Sequence, residues 1–388
     1  MHISFTTSHF PFYNAKSVGG IGTSIKNLSD ELVSLGHQVT VFVYGQERDE
    51  KTIEEGITLF KIKNVKLKGL SWYLTRKKIQ KKIIAEHKNS KIDILETPDW
   101  EGISSFINLP FPIVIRLNGS DTYFCHLDER KVKWINKFHE KRAIQKANGH
   151  LSVSQYTADL TNVLFGLEKP YTIIPNGIDI NKFKKDTDYS TNKPLIEEKI
   201  LLYFGGIIRK KGLLEIPHYF NKVIEEIPDV KLVLIGKDMS DKHSGNSSTF
   251  LMMNTLFSEE AKPRVSFLGS VPYQEIKTYI EKATVCIFPS YAEALPVSWL
   301  EAMSLEKAIV ASDIGWSNEI IDHGINGFKV EPKRHEDYAS CIIQIFKDDD
   351  LRKNIEIKAR EKIVKNFSTS VTAQKTVQFY NEIILKNA

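Results

Sequence analysis

The sequence predicts an α/β protein with two doubly wound domains, and three observations support this prediction. With 388 residues, the chain is too long for one ordinary core. Short apolar runs alternate with longer amphipathic ones, which is the pattern of parallel strands covered on both faces by helices. This alternation stops in a polar segment, residues 181–199, and then restarts. Two such domains in tandem are expected to face each other across a cleft at the C-terminal ends of their sheets.

The first domain is predicted to span residues 1–180. Its nearly continuous apolar runs predict strands at 2–7, 37–44, 91–97, 111–118, 150–154 and 171–177. Helical patterns occupy residues 23–36 and 132–149. Gly36 and Gly149 are expected to close these two helices, because glycine readily adopts the left-handed conformation found at helix C-termini.

The second domain is predicted to span residues 196–369. Its strands are predicted at 199–206, 230–238, 264–270, 283–290, 307–313 and 327–330. Helical segments such as 213–228 and 273–283 separate them. A last helical pattern, at about 370–388, either extends this domain or folds back on the first, and we expect it to complete the first domain.

Composition excludes several classes of protein. No apolar run approaches eighteen residues, so no membrane span is predicted, and the N-terminus MHISFTTSHF lacks the basic start and apolar stretch of a signal peptide. The three cysteines, Cys125, Cys286 and Cys341, are scattered and odd in number. A disulfide framework is therefore not expected. The cysteines instead predict a reducing, cytoplasmic location.

Residues 289–304, PSYAEALPVSWLEAMS, place two acids beside an apolar run. A strand is predicted to end at Pro289-Ser290, and Pro296 suits the first turn of a following helix. Glu293 then lies in the loop, Glu301 lies in the helix, and the free N–H groups between them form an anion site. Since carboxylates accept hydrogen bonds from vicinal hydroxyls, the pattern fits a sugar, a diphosphate and a second sugar in series. Alternatively, both glutamates are ordinary solvated charges.

The same region resembles the retaining GT-B glycosyltransferases of family four. Their signature is a pair of glutamates with seven residues between them at this strand–helix junction, and residues 289–330 match it almost throughout. Further matches are GGIGTSI (19–25), IIPNGID (173–179), FGGIIRKKG (204–212), LIGKD (234–238) and FLGSV (267–271). The resemblance implies a retaining, metal-independent hexosyltransferase with no cofactor. It would use a UDP- or GDP-sugar and a glycan or lipid-linked saccharide acceptor in cell-surface (cell-envelope) polysaccharide biosynthesis.

The resemblance also implies roles for individual residues. Glu301 would hold the ribose hydroxyls, Glu293 would contact the transferred sugar, and Lys211 would neutralise the departing diphosphate. Main-chain groups would complete the donor site at Gly19, Gly20, Val271, Ala294, Leu295, Val297 and Ser298.

Two positions depart from the family pattern. The usual arginine is replaced by Gly206, and Arg209 either substitutes for it or is a surface charge. The usual histidine after the fourth strand is replaced by Asn118, whose amide can hydrogen-bond a sugar hydroxyl but cannot carry a proton. Asn118 is alternatively a plain turn residue.

The acceptor side has weaker signals. ETPDWEG (96–102) gathers Glu96, Asp99 and Trp100 at a strand end, where they either line an acceptor pocket or form a charged loop. Asp186-Thr187-Asp188 lies in the polar segment and not after a strand, so no metal site is expected there.

The segment Lys61–Lys91 holds most of the basic excess behind the net charge of +5, with Glu86 as its one acid. Its interleaved apolar residues suit either a patch for an anionic membrane surface, such as the inner face of the cell membrane, or a solvated helix face packed on the sheet. No nucleic-acid motif accompanies the charge, so nucleic acid is not an expected partner.

Two other functions fit the same residues. A sugar-nucleotide epimerase shares the two-domain fold and would isomerise its donor without transferring it. The missing arginine and histidine would also suit an inactive sugar- or nucleotide-binding protein.

Overall fold

The computed structural model describes residues 1–12, 19–185 and 198–387. These residues form two compact units, one of residues 1–177 with 367–388 and one of residues 178–366. Most of the polar segment, and with it Asp186-Thr187-Asp188, lies outside the described residues.

The first unit is built on a mainly parallel sheet. In the described part of the chain its strands are β1 (His2–Thr7), β2 (Gln38–Gln46), β3 (Glu50–Glu54), β4 (Ile57–Lys63), β5 (Ile94–Pro98), β6 (Ile113–Leu117), β7 (Gly149–Ser152) and β8 (Thr172–Ile173). They lie in the order β3-β4-β2-β1-β5-β6-β7-β8, and β3 pairs with β4 in antiparallel fashion. The strand order reverses between β1 and β5, which is where doubly wound sheets usually bind ligands.

The β3–β4 hairpin was not predicted. Its strands carry several charges, and Ile53 is 72% exposed on β3, which is the edge strand of the sheet. The helices of this part of the chain are α1 (Gly20–Ser34), α2 (Ser71–Asn89), α3 (Asp121–Leu127), α4 (Trp134–Lys146) and α5 (Gln155–Phe165). The basic segment is therefore the end of β4, a turn and α2.

The second unit contains a fully parallel sheet. Its strands, again for the described residues, are β9 (Ile200–Phe204), β10 (Lys231–Ile235), β11 (Val265–Phe267), β12 (Val285–Phe288), β13 (Ala308–Ser312) and β14 (Phe328–Val330). The order is β11-β10-β9-β12-β13-β14, so the direction of winding reverses between β9 and β12. The loops after these two strands meet at one edge of the sheet.

The remaining helices are α6 (Ile216–Glu226), α7 (Thr249–Asn254), α8 (Tyr273–Lys282), α9 (Val297–Ser304), α10 (His335–Lys347), α11 (Asp349–Asn366) and α12 (Thr369–Lys386). α12 belongs to the first unit. Its residues Phe379, Tyr380 and Ile383 join Ile25 and Leu32 of α1 in one cluster of buried side chains with the strands of the first sheet.

Two glycines predicted to end helices behave differently. Gly36 follows α1 with φ +80°, and its N–H donates to Val33 O, as a left-handed helix end requires. The prediction that Gly149 ends a helix is wrong, since α4 ends at Lys146 and Gly149 begins β7. A side chain at Gly149 would displace Ile383, because an ideal Cβ would lie 2.9 Å from it.

Candidate active site

The two predicted glutamates sit at the carboxyl end of β12. Residues 289–296 form the loop after this strand, and α9 begins at Val297. Pro296 is the N-cap, with an extended backbone, and lies before the first turn; its own side chain makes no capping hydrogen bond. The first N–H groups of a helix have no partners within it, so those of Val297 and Ser298 are suited to an anion.

Glu293 forms an ion pair with Lys211. Lys211 lies in a short 3₁₀ turn, Arg209–Lys211, in the loop after β9, and its Nζ donates to Glu293 Oε1. The loops after β9 and β12 are further joined by Tyr291 N, which donates to Lys210 O at 2.9 Å. Sequence reasoning picked both charged residues, and the structure brings them together at the reversal point of the sheet.

A glycine makes this close approach possible. Gly212 follows Lys211 with φ +70°, and an ideal Cβ there would lie 1.8 Å from Pro289 O. Only glycine combines that left-handed conformation with so near a carbonyl. The position of Lys211 beside Glu293 therefore depends on the residue that follows the lysine.

Glu301 is the fifth residue of α9 and is only 5% exposed. Its Oε1 accepts a hydrogen bond of 2.6 Å from Tyr273 Oη, at the start of α8. Burial raises the pKa of the Glu301 carboxyl to about 7, against the lowering effects of the Tyr273 hydrogen bond and the Lys182 charge. Lys182 Nζ lies 4.7 Å from the centre of the Tyr273 ring.

Tyr273 is the residue that sequence reasoning missed here. It follows Val271, the predicted base-binding position, by two residues, and its side chain reaches Glu301 across 28 positions of sequence. The available signal was an aromatic hydroxyl at the first position of the helix after FLGSVP. Nothing in the spacing shows that it points toward Glu301.

Arg209 is bound to an acid that sequence reasoning did not select. Its Nε and one terminal nitrogen donate to the two oxygens of Asp241 at 2.9 and 2.8 Å. Asp241 is 1% exposed, and the Arg209 guanidinium holds the pKa of its carboxyl well below the usual value. Arg209 is thus held in place by a buried carboxylate. In this it differs from a freely solvated surface charge and from a phosphate ligand that no protein group holds.

A second hydrogen-bond network lies behind the loop that carries Glu293. Glu215 accepts from Tyr291 Oη at 2.9 Å, and its other oxygen lies 2.8 Å from His335 Nε2. The His335 ring stacks on His218, with ring centres 4.5 Å apart. This network ties the loop to α6 and α10, so the position of Glu293 is set by residues far away in sequence.

Three further predicted site residues, Gly19, Gly20 and Asn118, lie in the first unit. Gly19 is the N-cap of α1 and Gly20 is its first residue. Apart from chain neighbours and the backbone of the same helix, no atom of the described residues lies within 4 Å of an ideal Cβ at either glycine. Asn118 follows β6, where its N–H donates to Asp99 Oδ1 at 2.9 Å and its amide to Arg116 O at 3.3 Å. It lines a small cavity of about 20 Å³ with Glu96.

The predicted acceptor acids are buried inside the first unit. Glu96 is 3% exposed and accepts two hydrogen bonds from Arg116, at 2.8 and 3.0 Å, and one from Tyr380 at 2.6 Å. Asp99 has no exposed surface, and burial raises the pKa of its carboxyl to about 7. Both acids hold other protein groups, so their positions do not favour a role in acceptor binding. Trp100 is partly exposed and packs near Phe124.

The described ranges contain neither a metal-binding cluster nor a membrane-spanning helix. No group of three or more His, Cys, Asp or Glu side chains there is placed to hold a metal ion. Likewise, none of the helices in the described ranges is both long and apolar enough to traverse a lipid bilayer.

Comparison with known proteins defines the class of this chain as a glycosyltransferase. The model described as Glycosyltransferase Family 4 matches residues 18–182, and that described as Glycosyl transferases group 1 matches residues 186–362. The chain therefore belongs to the GT-B glycosyltransferases of the family 4 type, as its motifs predicted. The predicted α/β fold of two Rossmann-like domains is also confirmed.

Related proteins match either nearly the whole chain or about half of it. An uncharacterized glycosyltransferase of Methanocaldococcus jannaschii is 24% identical and covers 98% of both chains. The capsular polysaccharide biosynthesis glycosyltransferase CapM of Staphylococcus aureus is 24% identical over 54% of this chain and 53% of its own length.

Solved structures share the fold. Sucrose-phosphate synthase from Thermosynechococcus elongatus superposes with a TM-score of 0.80 at 20% identity, over 99% of both chains. HepE of Anabaena, solved in complex with UDP-glucose, gives a TM-score of 0.72 at 17% identity, over 98% of this chain and 100% of its own.

Proposed function

We propose that this protein is a retaining hexosyltransferase that uses a UDP- or GDP-sugar, requires no metal, and acts in the assembly of a cell-envelope polysaccharide. The observation that carries the proposal is the Lys211–Glu293 ion pair beside the uncapped start of α9, with the buried Glu301 one and a half turns further on. A cation and a row of N–H groups suit the diphosphate, and an acid on each side suits the hydroxyls of the transferred sugar and of the ribose, in the order in which a sugar nucleotide presents these groups.

On donor binding, the diphosphate would replace Glu293 as the partner of Lys211. Without donor, Lys211 is neutralised by the Glu293 carboxylate. A bound diphosphate offers Lys211 more negative charge and also accepts from the N–H groups of Val297 and Ser298. Glu293 would then be released to accept hydrogen bonds from the transferred sugar, aided by the main chain at Ala294 and Leu295.

The nucleoside would lie on the other side of the diphosphate. Glu301 would accept hydrogen bonds from the ribose hydroxyls when it is ionised, and the main chain at Val271 would contact the base. In the first unit, Gly19 and Gly20 would approach the phosphates, and Asn118 would donate to a sugar hydroxyl. The open space beside both glycines supports the phosphate role. Packing within the described part of the protein does not require glycine at either position, so contact with a ligand is a reason for glycine there.

The reaction would proceed on one face of the sugar. The bond between the anomeric carbon and the diphosphate oxygen breaks as the acceptor oxygen bonds the same carbon from the same side. The departing diphosphate takes the acceptor proton, and Lys211 stabilises the charge that develops on it. Arg209 lies in the same 3₁₀ turn as Lys211 and is held by Asp241. It would add positive charge near the departing diphosphate. No protein nucleophile is needed.

A matched pair of variants tests the proposal. Purified protein is first screened against UDP- and GDP-sugars for thermal stabilisation, which grows with the ratio of ligand concentration to Kd. With the best donor, nucleotide release is then measured with and without glycan or lipid-linked acceptors. Glu293→Ala is expected to abolish release, while Glu275→Gln, which changes an exposed acid on α8, leaves it intact.

An inactive binding protein is the second candidate, favoured by Gly206 and Asn118 in place of the family arginine and histidine. It predicts thermal stabilisation by a sugar nucleotide without any release of nucleotide. Isomerised donor in the absence of acceptor would instead identify an epimerase. Transfer of sugar with retention at the anomeric carbon supports the proposed reaction over both.

A further inference from the structure

The first unit carries a surface on which exposed apolar side chains and lysines lie together. We call it the aromatic–basic face. Its apolar members are Leu67, Leu70, Trp72, Trp134 and Phe138, and its lysines are Lys66, Lys68, Lys131, Lys133, Lys137 and Lys141. Trp134 is 77% exposed and Phe138 is 46% exposed, which is unusual for large aromatic side chains.

Ring contacts join the two halves of this face. Trp72, at the start of α2, lies 4.7 Å from the His139 ring and 5.3 Å from the Phe106 ring, measured between ring centres. Phe138 of α4 contacts the same two rings at 5.3 and 6.4 Å. His139 is 4% exposed and anchors the cluster. The exposed edges of Trp72 and Phe138 are therefore neighbours on one rigid support.

α4 presents its part of the face as a stripe. Trp134, Lys137, Phe138 and Lys141 occupy positions i, i+3, i+4 and i+7, so they share one side of the helix. The opposite side is buried through His139, Glu140, Ala143 and Ile144. This outward stripe combines basic and aromatic side chains, the two kinds of residue with which proteins contact a membrane interface.

The lysines of the basic segment and of the aromatic–basic face divide into two groups. Some have a structural partner: Lys61 pairs with Glu50, Lys78 with Asp49, and Lys77 donates to Phe106 O. By contrast, the six lysines of the aromatic–basic face form no ion pair with any residue that the structure describes. Residues 61–85 and 131–139 contain no Asp or Glu, so this charge is not neutralised locally.

We propose that the aromatic–basic face docks the chain on an anionic lipid surface. The lysines attract the negative headgroups, and Trp72, Trp134, Phe138 and the two leucines insert between them. Clustered positive charge selects an anionic partner, and unpaired lysines on flexible stems suit a fluid array of headgroups better than one fixed set of acids. The proposal does not rest on the donor chemistry, and it adds α4 to the basic segment as a second contact.

Vesicle sedimentation with the full-length chain tests the proposal. The protein is mixed with vesicles of phosphatidylcholine alone or with added phosphatidylglycerol. We expect binding to the vesicles that contain phosphatidylglycerol, and weaker binding as salt is raised. Lys137→Gln with Lys141→Gln is expected to weaken binding about 30-fold, from the contribution of each lysine near an anionic surface. Trp134→Ser with Phe138→Ser is expected to weaken it at least about 10-fold.

Matched controls lie elsewhere in the same unit. Lys375→Gln with Lys386→Gln removes the same charge from α12, and Val163→Ser removes an apolar side chain that is 77% exposed. Both controls are expected to bind vesicles like the unchanged protein. All variants are expected to keep the melting temperature of the unchanged protein, which shows that they fold.

Three results would overturn the proposal. The first is equal loss of vesicle binding in the controls and in the face variants. The second is no binding to phosphatidylglycerol vesicles at low salt. The third is a dimer of the unchanged chain that Trp134→Ser with Phe138→Ser converts to monomer, since a second copy would then cover this face.

Discussion

Glu96 in the first unit and Glu301 in the second are both almost fully buried, yet their surroundings differ sharply. Glu96 accepts three hydrogen bonds, two of them from the Arg116 guanidinium and one from Tyr380. Among the described residues Glu301 receives one side-chain hydrogen bond, from the neutral phenol of Tyr273. A buried carboxylate that is fully bound by protein groups stabilises the fold, whereas one that is only partly bound is suited to a ligand.

The largest effect is expected from Arg116→Met. This change leaves the Glu96 carboxylate buried without its cation, which typically costs about 3–5 kcal/mol. Urea denaturation is expected to show that loss in the free energy of unfolding. Arg48→Met, which removes an arginine with a 77% exposed side chain from its pair with Glu50, is the control and is expected to cost less than about 1 kcal/mol. A small loss with Arg116→Met would show that Glu96 is not a structural acid.

A smaller effect is expected from Glu301→Gln, which should lower the affinity for nucleotide without lowering the free energy of unfolding. The amide avoids the cost of a buried, weakly bound charge, so the free energy of unfolding stays equal or rises at pH 8. The affinity for UDP or GDP, whichever stabilises the protein, is expected to fall about 10- to 100-fold, as for the loss of a hydrogen bond to a charged group. Calorimetric titration measures this. Unchanged affinity would remove Glu301 from the nucleotide site.

The smallest effect, and the one that sharpens the comparison, is a pH dependence. Burial raises the pKa of Glu301 to about 7 from an ordinary value near 4.5, so the folded protein favours the protonated acid. Its contribution to stability is present below pH 4.5 and is lost as pH rises through 7. Nucleotide affinity has the opposite sign and is expected to fall by up to about tenfold per pH unit below 7.

Two variants identify the titrating group. Glu301→Gln is expected to remove this pH dependence of affinity. Tyr273→Phe is expected to move its midpoint to higher pH, since the Tyr273 hydrogen bond lowers the pKa of Glu301. If the unchanged protein and Glu301→Gln showed the same dependence, the signal would belong to another group, such as the Asp99 carboxyl.

Much of the fold was predictable because parallel strands covered on both faces leave a simple pattern of apolar runs. The hairpin of β3 and β4 was not, because its edge strand is charged and half solvated. Gly149 was wrongly predicted to end a helix. A side chain at this position would meet Ile383, which is more than 200 positions away in the sequence and could not be foreseen as a neighbour.

The candidate site was predictable to a similar extent. Glu293, Glu301 and Lys211 were selected from local sequence, since the strand, loop and helix that present them are contiguous. Their partners Tyr273, Asp241 and Glu215 were not, because each reaches its contact from another element. Asp99 was selected as a possible acceptor-pocket residue, but its side chain is fully buried and accepts a hydrogen bond from the backbone of Asn118.

The sequence by itself determined the alternation of strands and helices, the glutamates and lysine at the strand ends, and the membership in the GT-B glycosyltransferases of the family 4 type. Only the tertiary structure decided which buried acids are fully bound and which lysines remain unpaired. The physical reason is range: local spacing governs helices, strands and turns, whereas burial and hydrogen bonding depend on residues that meet only after the chain has folded.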